Sequence, residues 1–475
     1  MTTVLRTTWP LLLGILLLMV GNGMQGTLLG IRGGIEGIAT TQMSVVMSAY
    51  FGGFLLGSRL VPGMIQKVGH VRVFAALGSL ISAVLIIYAA APNWVAWSVL
   101  RLLIGFCFSG VYITAESWLN ASATNETRGQ ALSAYMIVQM IGIVTAQVLM
   151  NVGDPAGYLL FVIPSVLVSL AFTPILLSAQ PAPAFETIKR MSFADLYQAS
   201  PLGCVGIFLM GGVFSALFGM GAVWGAAVGL SVREISAFVA AIYLGGLIFQ
   251  FPLGWLSDRV DRRQLVTLLS GLGALVVLAY LLLGGGIWGL LLAAALVGGV
   301  ANPLYSLLLA YTNDFLDQSD MAAASAGLLF INGLGSLAGP LVVGWLMAQV
   351  GNAGYWVFVG VLMALLAIYS LWRMTQRAAR PVDETGAFAV ISPTATTLAV
   401  EAVLEYAQTD EADLPHDDAP APDLTGAEWD AAALGTEDVA PPDADGDDAD
   451  SNDAHDGAAG DDTGRPSPDS PSRGG

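Results

Sequence analysis

The stretch GWLSDRVDRRQ, residues 254–264, sets five charged side chains, Asp258, Arg259, Asp261, Arg262 and Arg263, between two long apolar runs. Those runs, 235–253 and 265–283, are almost wholly apolar. Each can cross a hydrocarbon core about 30 Å thick, which takes about 20 helical residues. Unpaired backbone groups are costly in lipid, so runs of this kind must be helices. The charged stretch is therefore expected to be a tight loop at a membrane face, its charges in water and Asp258 and Arg259 set as a loop-borne ion pair.

Composition carries this reading to the whole chain. At 475 residues, 55% hydrophobic and 11% charged, it is far below the charged fraction of about 25% usual in soluble domains. It reads as an all-α polytopic membrane protein. The net charge of -18 divides unevenly at Arg380: residues 1–380 carry +4 and residues 381–475 carry -22. The acidity belongs to a tail. Cys107 and Cys204 both lie in apolar runs, which excludes a disulfide framework or CxxC metal site and leaves them as small packing residues.

Twelve spans can be placed, near 8–31, 42–62, 71–91, 94–119, 130–151, 157–178, 202–228, 234–256, 264–284, 287–311, 322–348 and 355–373. The first, flanked by Arg6, is long and carries Asn22 and Gln25, so it reads as a retained helix and not a cleaved signal. Lys and Arg of short loops stay on the cytoplasmic side. With both ends inside, the inner segments hold twelve basic residues and the outer loops only Arg32 and Arg233.

The loop 179–201 carries Lys189, Arg190 and a short amphipathic stretch at 193–197, and it divides a half at 1–178 from a half at 202–380. Internal similarity supports the division. Gly63 and Gly254 are 191 apart, while Tyr112 and Tyr305, Asn120 and Asn313, and Gly142 and Gly335 are each 193 apart. Repeat-built transporters show such faint symmetry, with the substrate near the midplane between halves. The tail, 381–475, is rich in Asp, Ala, Pro and Gly and is expected to be disordered. TATTLAVEAVLEYAQ at 394–408 is the exception, with helical spacing that suits a transient helix or a docking segment.

The loop at 254 resembles the signature of the major facilitator superfamily, G-x-L-[AS]-D-[RK]-x-G-R-[RK]. It matches at Gly254, Leu256, Ser257, Asp258, Arg259, Arg262 and Arg263, and Asp261 stands where the family usually has Gly. The runs RLLIGFCFSGVYITAESWLN at 101–120 and GSLAGPLVVG at 335–344 extend the resemblance over residues 1–380, most like the bacterial YcaD-like branch. It implies alternating access between two six-helix halves. The corresponding first-half loop, GMIQKVGHVR at 63–72, keeps Gly63, Gly69 and Arg72 but has Lys67 at the Asp position. The family's Asp is expected to accept from the start of a helix in the opposite half, where exposed amides are partly positive. Asp258 could face the fifth helix, near Arg128 and Gly129, whereas its counterpart offers no carboxylate. The inner gate is thus expected to be asymmetric and to depend mainly on Asp258, Arg259 and Arg262, with Glu116 supporting the weaker side.

Arg101, about two turns inside the fourth span, should face a cavity or a partner, because a charge at that depth is costly. It matches the family's R-x-x-x-G with Gly105, although Ile104 replaces the usual Gln. The resemblance implies a proton- or substrate-linked Arg, and the alternative is a cation satisfied by carbonyls. Glu116 could carry a proton or form a gate ion pair with Lys67, Arg72 or Arg59. Cavity candidates are Asn22, Gln25, Tyr112, Gln139, Trp224, Asn302, Tyr305 and Asn332, whose polar groups either orient a ligand or join helices. Gly335, Gly339, Pro340 and Gly344 permit close approach and bending of the eleventh span. The fifth span lacks the Gly-Pro of drug antiporters and the first lacks an acid, both of which argue against proton-driven drug export.

The leading expectation is a secondary active or facilitative transporter of a small organic solute, in the bacterial cytoplasmic membrane. The chain is expected to be monomeric, with no cofactor, metal or nucleic-acid partner. The alternative is a non-transporting sensor or scaffold of the same fold whose acidic tail recruits a cytoplasmic partner. An enzyme is poorly supported: His70, His416 and His455 all fall outside the spans, and neither HExxH nor GxxxxGK[ST] occurs.

Overall fold

The computed structural model of the chain describes residues 2–122, 128–176 and 191–376, together with Phe388 and Ile391. The described residues form helices α1 (Thr2–Ile35), α2 (Thr40–Val68), α3 (His70–Ala90), α4 (Trp94–Ser122), α5 (Arg128–Leu149), α6 (Leu159–Leu176), α7 (Phe193–Ala199) and α8 (Pro201–Phe214). A π-helical turn, Ser215–Met220, joins α8 to α9 (Gly221–Ala227). α10 (Val232–Ser257), α11 (Arg262–Leu283), α12 (Gly286–Asn313), α13 (Gln318–Val350) and α14 (Ala353–Gln376) follow. Eleven of the twelve expected spans appear as helices long and apolar enough to cross a membrane, with α8, the π turn and α9 making one of them. The remaining one is α6, a shorter apolar helix with Pro164 and Pro174 inside it. The expected helix at 394–408 and residues 177–190 of the central loop lie outside the described residues.

Several helices run past the apolar stretches that announced them. α2 continues to Val68 through exposed Gln66 and Lys67, because a helix needs apolar side chains only where lipid surrounds it. His70, expected outside a span, opens α3. It is buried there, with Nε2 3.1 Å from the Ser117 hydroxyl on α4. α7 is the expected amphipathic stretch: Ser192 caps it by accepting from the Asp195 N–H at 3.2 Å, and Leu196 is buried against Gly327 of α13.

Outward faces are apolar as lipid requires. Leu268, Leu275 and Leu282 of α11 are each more than 60% exposed, a pattern that only a hydrocarbon solvent tolerates. Inward faces meet at glycines. On α4 an added Cβ at Gly105 would fall on the Tyr50 carbonyl, and one at Gly53 of α2 would fall on the Leu102 carbonyl. α10 and α12 cross in the same manner, Gly245 against the Ala295 carbonyl and Gly298 against that of Ile242. Gly53 and Gly245 are 192 apart, and Gly105 and Gly298 are 193 apart. The internal similarity therefore reaches the backbone contacts themselves.

Candidate functional site

The charged loop is shorter than its sequence suggested. α10 continues to Ser257 and α11 begins at Arg262, leaving Asp258, Arg259, Val260 and Asp261 between them. Only part of the charge lies in water. Arg262 and Arg263 are buried, a departure from the expectation for the whole stretch, and the reason is that each has a carboxylate to meet. Arg262 Nη1 lies 2.6 Å from Asp314 Oδ1, just beyond the end of α12, and its Nη2 lies 3.5 Å from Asp258 Oδ1. Asp258 thus pairs one helical turn forward and not with its neighbour. Arg259 instead stacks on the Trp255 ring at 4.1 Å and donates to the Trp255 carbonyl.

Asp261, the departure from the family pattern, has a local purpose. Its carboxylate accepts from the Arg263 N–H at 2.9 Å, capping α11, and holds the Arg263 guanidinium at 2.9 Å through Oδ2. Burial works to raise its pKa, but the hydrogen bonds and charge of Arg263 outweigh it and hold the carboxyl below the ordinary aspartate range. A depressed folded pKa stabilises fully above the unfolded value of about 3.9 and is lost as pH falls through the folded value. Asp261→Ala is expected to cost about 1 kcal/mol at neutral pH, as lost N-caps do. Thermal melts should show the gap to wild type closing only below the ordinary aspartate range; a gap that closes near pH 6 would refute the assignment.

The first-half counterpart is built differently. Gly69 breaks α2 from α3 at φ +86, a conformation suited to glycine. Lys67 and Arg72 are exposed, and a Cβ at Gly63 would meet nothing within 4 Å. Arg59 lies over the Phe330 ring of α13 at 4.1 Å. Glu116 is buried and accepts from the Tyr135 hydroxyl on α5 at 2.9 Å. Arg128 opens α5; its side chain lies outside the described residues. The position matched to Asp314 at the 193-residue offset is Ala121, so this half lacks both carboxylates of the other. Asp314 escaped the sequence reading because it sits past the end of an apolar run, where acids are ordinary.

Polar groups of α1 and α4 form one connected chain. Arg101, buried, donates to Gln25 Oε1 at 2.5 Å and packs on Met47 Sδ and the Tyr50 ring. Gln25 donates to Asn22 at 3.0 Å, and Asn22 donates to the Tyr112 hydroxyl at 3.0 Å. No carboxylate pairs with Arg101 among the described residues, and its buried Nε has no partner. Asn22 is half-exposed, and one turn along α1 a Cβ at Gly26 would meet open space.

Around that space stand aromatic residues that polarity alone did not select. Tyr243 of α10 holds the place matched to Tyr50 of α2, whose ring lies 6.4 Å from that of Phe54, itself 6.1 Å from the Tyr112 ring. The Tyr243 ring stacks on Phe218 in the π turn at 4.5 Å, and Phe218 stacks on Phe214. The signal was present: Tyr50 and Tyr243 are 193 apart. Tyr305 stands behind this layer, buried against Phe214.

The other cavity candidates contact neighbouring helices or their own. Trp224 belongs to an aromatic cluster with Tyr355, Trp356 and Phe238 at the far end of the bundle, its Nε1 donating to the Asn352 carbonyl at 2.9 Å. Asn302 donates to the Gly298 carbonyl of its own helix and packs on Gly246. Asn332 presses its backbone against Gly211 of α8, and Gln139 lies buried one turn beyond Tyr135. On α13, Gly335 meets the Phe208 carbonyl and Gly339 meets Ser215, while Gly344 packs on Ser44 of α2. The row therefore seats α13 on two helices at once, with Pro340 buried between.

The Major Facilitator Superfamily profile matches residues 202–406. The MFS-type transporter YcaD of Escherichia fergusonii is 27% identical over 391 residues, 79% of this chain and 98% of that protein. An MFS-type transporter of Yersinia pseudotuberculosis, YpsIP31758_2592, is 28% identical over 358 residues, 72% of this chain and 90% of its own length. Among solved structures, the nucleoside transporter NupG superposes with a TM-score of 0.65 at 16% identity, covering 78% of this chain and 99% of its own. A bacterial homologue of the human lysosomal transporter Spinster, inward-facing and unoccupied, gives 0.60 at 14%, covering 84% and 98%. Relatives, profile and fold agree with the loop at 254: residues 202–406 match the Major Facilitator Superfamily profile, and most of the chain is similar to MFS-type transporters, those named YcaD among them.

Proposed function

We propose that the protein moves a small organic solute by alternating access between two halves, 1–178 and 202–380, joined by a central cytoplasmic loop. The observation that carries this is the buried Arg101 against the Tyr50 ring, joined through Gln25 to half-exposed Asn22 and to Tyr112, with Tyr243 stacked on Phe218 at the matched place on α10. Aromatic faces hold a flat apolar body while an amide orients it. A buried guanidinium without a carboxylate gives the space a positive potential, which favours a solute bearing an anionic or strongly accepting group.

The arrangement fits an inward-facing state. At the end of the bundle away from the charged loop, Gly30 of α1 packs on Ala222 and Val223 of α9, and Ser48 of α2 donates to the Leu337 carbonyl of α13. The halves meet there, α2 and α13 stay in contact as far as Arg59 and Phe330, and the mouth on this reading is the loop end beyond them. The excess of Lys and Arg in the segments at that end makes it cytoplasmic.

Uptake into proteoliposomes tests the reading, with a panel of neutral and anionic organic solutes, with and without a pH gradient. For a transported solute, Tyr50→Ala, Tyr243→Ala and Arg101→Met are each expected to cut uptake about tenfold, the equivalent of one good contact. Arg101→Met should weaken anionic solutes more than neutral ones. Uptake of no solute in the panel, or variants that all behave as wild type, would defeat the proposal.

A further inference from the structure

Ser306 lies on α12 seven residues before its end at Asn313, about 10 Å along the axis from the loop face. Its hydroxyl donates to the Ile391 carbonyl at 3.0 Å, and the Ile391 N–H donates back to it at 3.1 Å. One buried hydroxyl therefore closes both backbone groups of a residue 85 positions away. Ile391 is 3% exposed and part of the core. Nearer the face, the Phe388 N–H donates to Asp258 Oδ1 at 2.8 Å. The Phe388 ring lies against Gly254, only 2.7 Å from where a Cβ there would stand. Phe388 thus engages two residues of the charged loop motif, its leading glycine and its carboxylate.

We propose that Phe388 and Ile391 together act as a strap, an internal ligand of the loop face, one against Gly254 and Asp258 at the end of α10 and the other against Ser306 of α12, and hold that face open until they leave. Two observations support this role over incidental packing. The strap occupies the Asp258 oxygen that Arg262 also approaches, so the carboxylate is not free to meet a helix start in the other half. Ile391 is buried against Ser306 of α12, a helix that must approach its opposite number if the mouth closes. Both residues follow α14 in the same chain, and three hydrogen bonds to their backbone groups, with two apolar side chains, hold them to the loop face and α12. The holding role rests on the rocking movement proposed above; the docking does not.

Hydrogen–deuterium exchange and spin-label distances on the full chain test the two parts separately. The Phe388 and Ile391 amides are expected to exchange about tenfold more slowly in wild type than in the S306A/D258A variant. Exchange equal in the two would overturn the docking. For the holding role, Cys107 and Cys204 are replaced by Ser and labels are placed on K67C and Q264C, both exposed at the loop ends of their helices. Releasing the strap with Phe388→Asp and Ile391→Asp, which leaves the helices untouched, is expected to raise a shorter-distance population about fivefold. Unchanged distances would overturn the holding role. If both samples show two populations, the halves rock without regard to the strap; if both show one, the rocking reading falls with it.

Discussion

Asp314→Ala is expected to destabilise the detergent-solubilised protein by about 3–5 kcal/mol, the usual cost of removing one partner from a buried ion pair. The Arg262 side chain is 3% exposed and that of Asp314 is 5% exposed, so water cannot replace the lost carboxylate. Asp258 stays 3.5 Å away on the exposed side and compensates only weakly. The double variant Arg262→Met with Asp314→Leu should recover most of the loss, because an apolar pair of similar volume leaves no buried charge. Thermal unfolding of the three proteins checks both statements. An Asp314→Ala protein that melts with wild type would show that the pair is not what fixes α12 to the start of α11.

Gly105→Ala is expected to abolish the folded bundle. The added methyl would coincide with the Tyr50 carbonyl oxygen, a backbone atom that no rotamer change can move. α2 and α4 would have to separate along their whole crossing, and overpacking of a dense core already costs about 1–3 kcal/mol where side chains can yield. Gly298→Ala, against the Ile242 carbonyl, is expected to fail in the same way at the matched crossing of α10 and α12. Gly271→Ala is the control. It sits in the interior of α11 with nothing within 4 Å of its added Cβ, and it should be neutral or stabilise by up to about 1 kcal/mol. Size-exclusion profiles of fluorescently tagged proteins separate these outcomes, and a monodisperse Gly105→Ala peak would sink the account of the crossing.

These two cases mark the border of what can be read without coordinates. The glycines at 105 and 298 could be noticed as an offset pair, yet their necessity comes from carbonyls on other helices. Asp314 looked like an ordinary loop acid, and it became structural only because α11 begins near the end of α12. Trp224 and Asn302 read as cavity residues because they are polar or aromatic inside apolar runs. Which face of a long buried helix meets a cavity is not encoded in polarity when all faces are covered, and both turned to neighbouring backbone. Tyr50 and Tyr243 were overlooked for the converse reason: tyrosine in an apolar run looks like filling until the matched place 193 residues on holds a tyrosine too.

The sequence by itself determined the solvent, the elements and the loop that carries the family's mark. Each of these depends on local composition, and lipid leaves an apolar run of about 20 residues no alternative to a helix. Only the tertiary structure decided which charges in that loop are buried, that Arg101 faces an amide and an aromatic ring with no carboxylate partner among the described residues, and that Phe388 and Ile391 return to α10 and α12. Those outcomes are pairings between residues from 52 to 130 positions apart, as in Arg262 with Asp314 and Asp258 with Phe388. Such pairings are fixed by how helices pack, and no run, period or spacing along the chain records them.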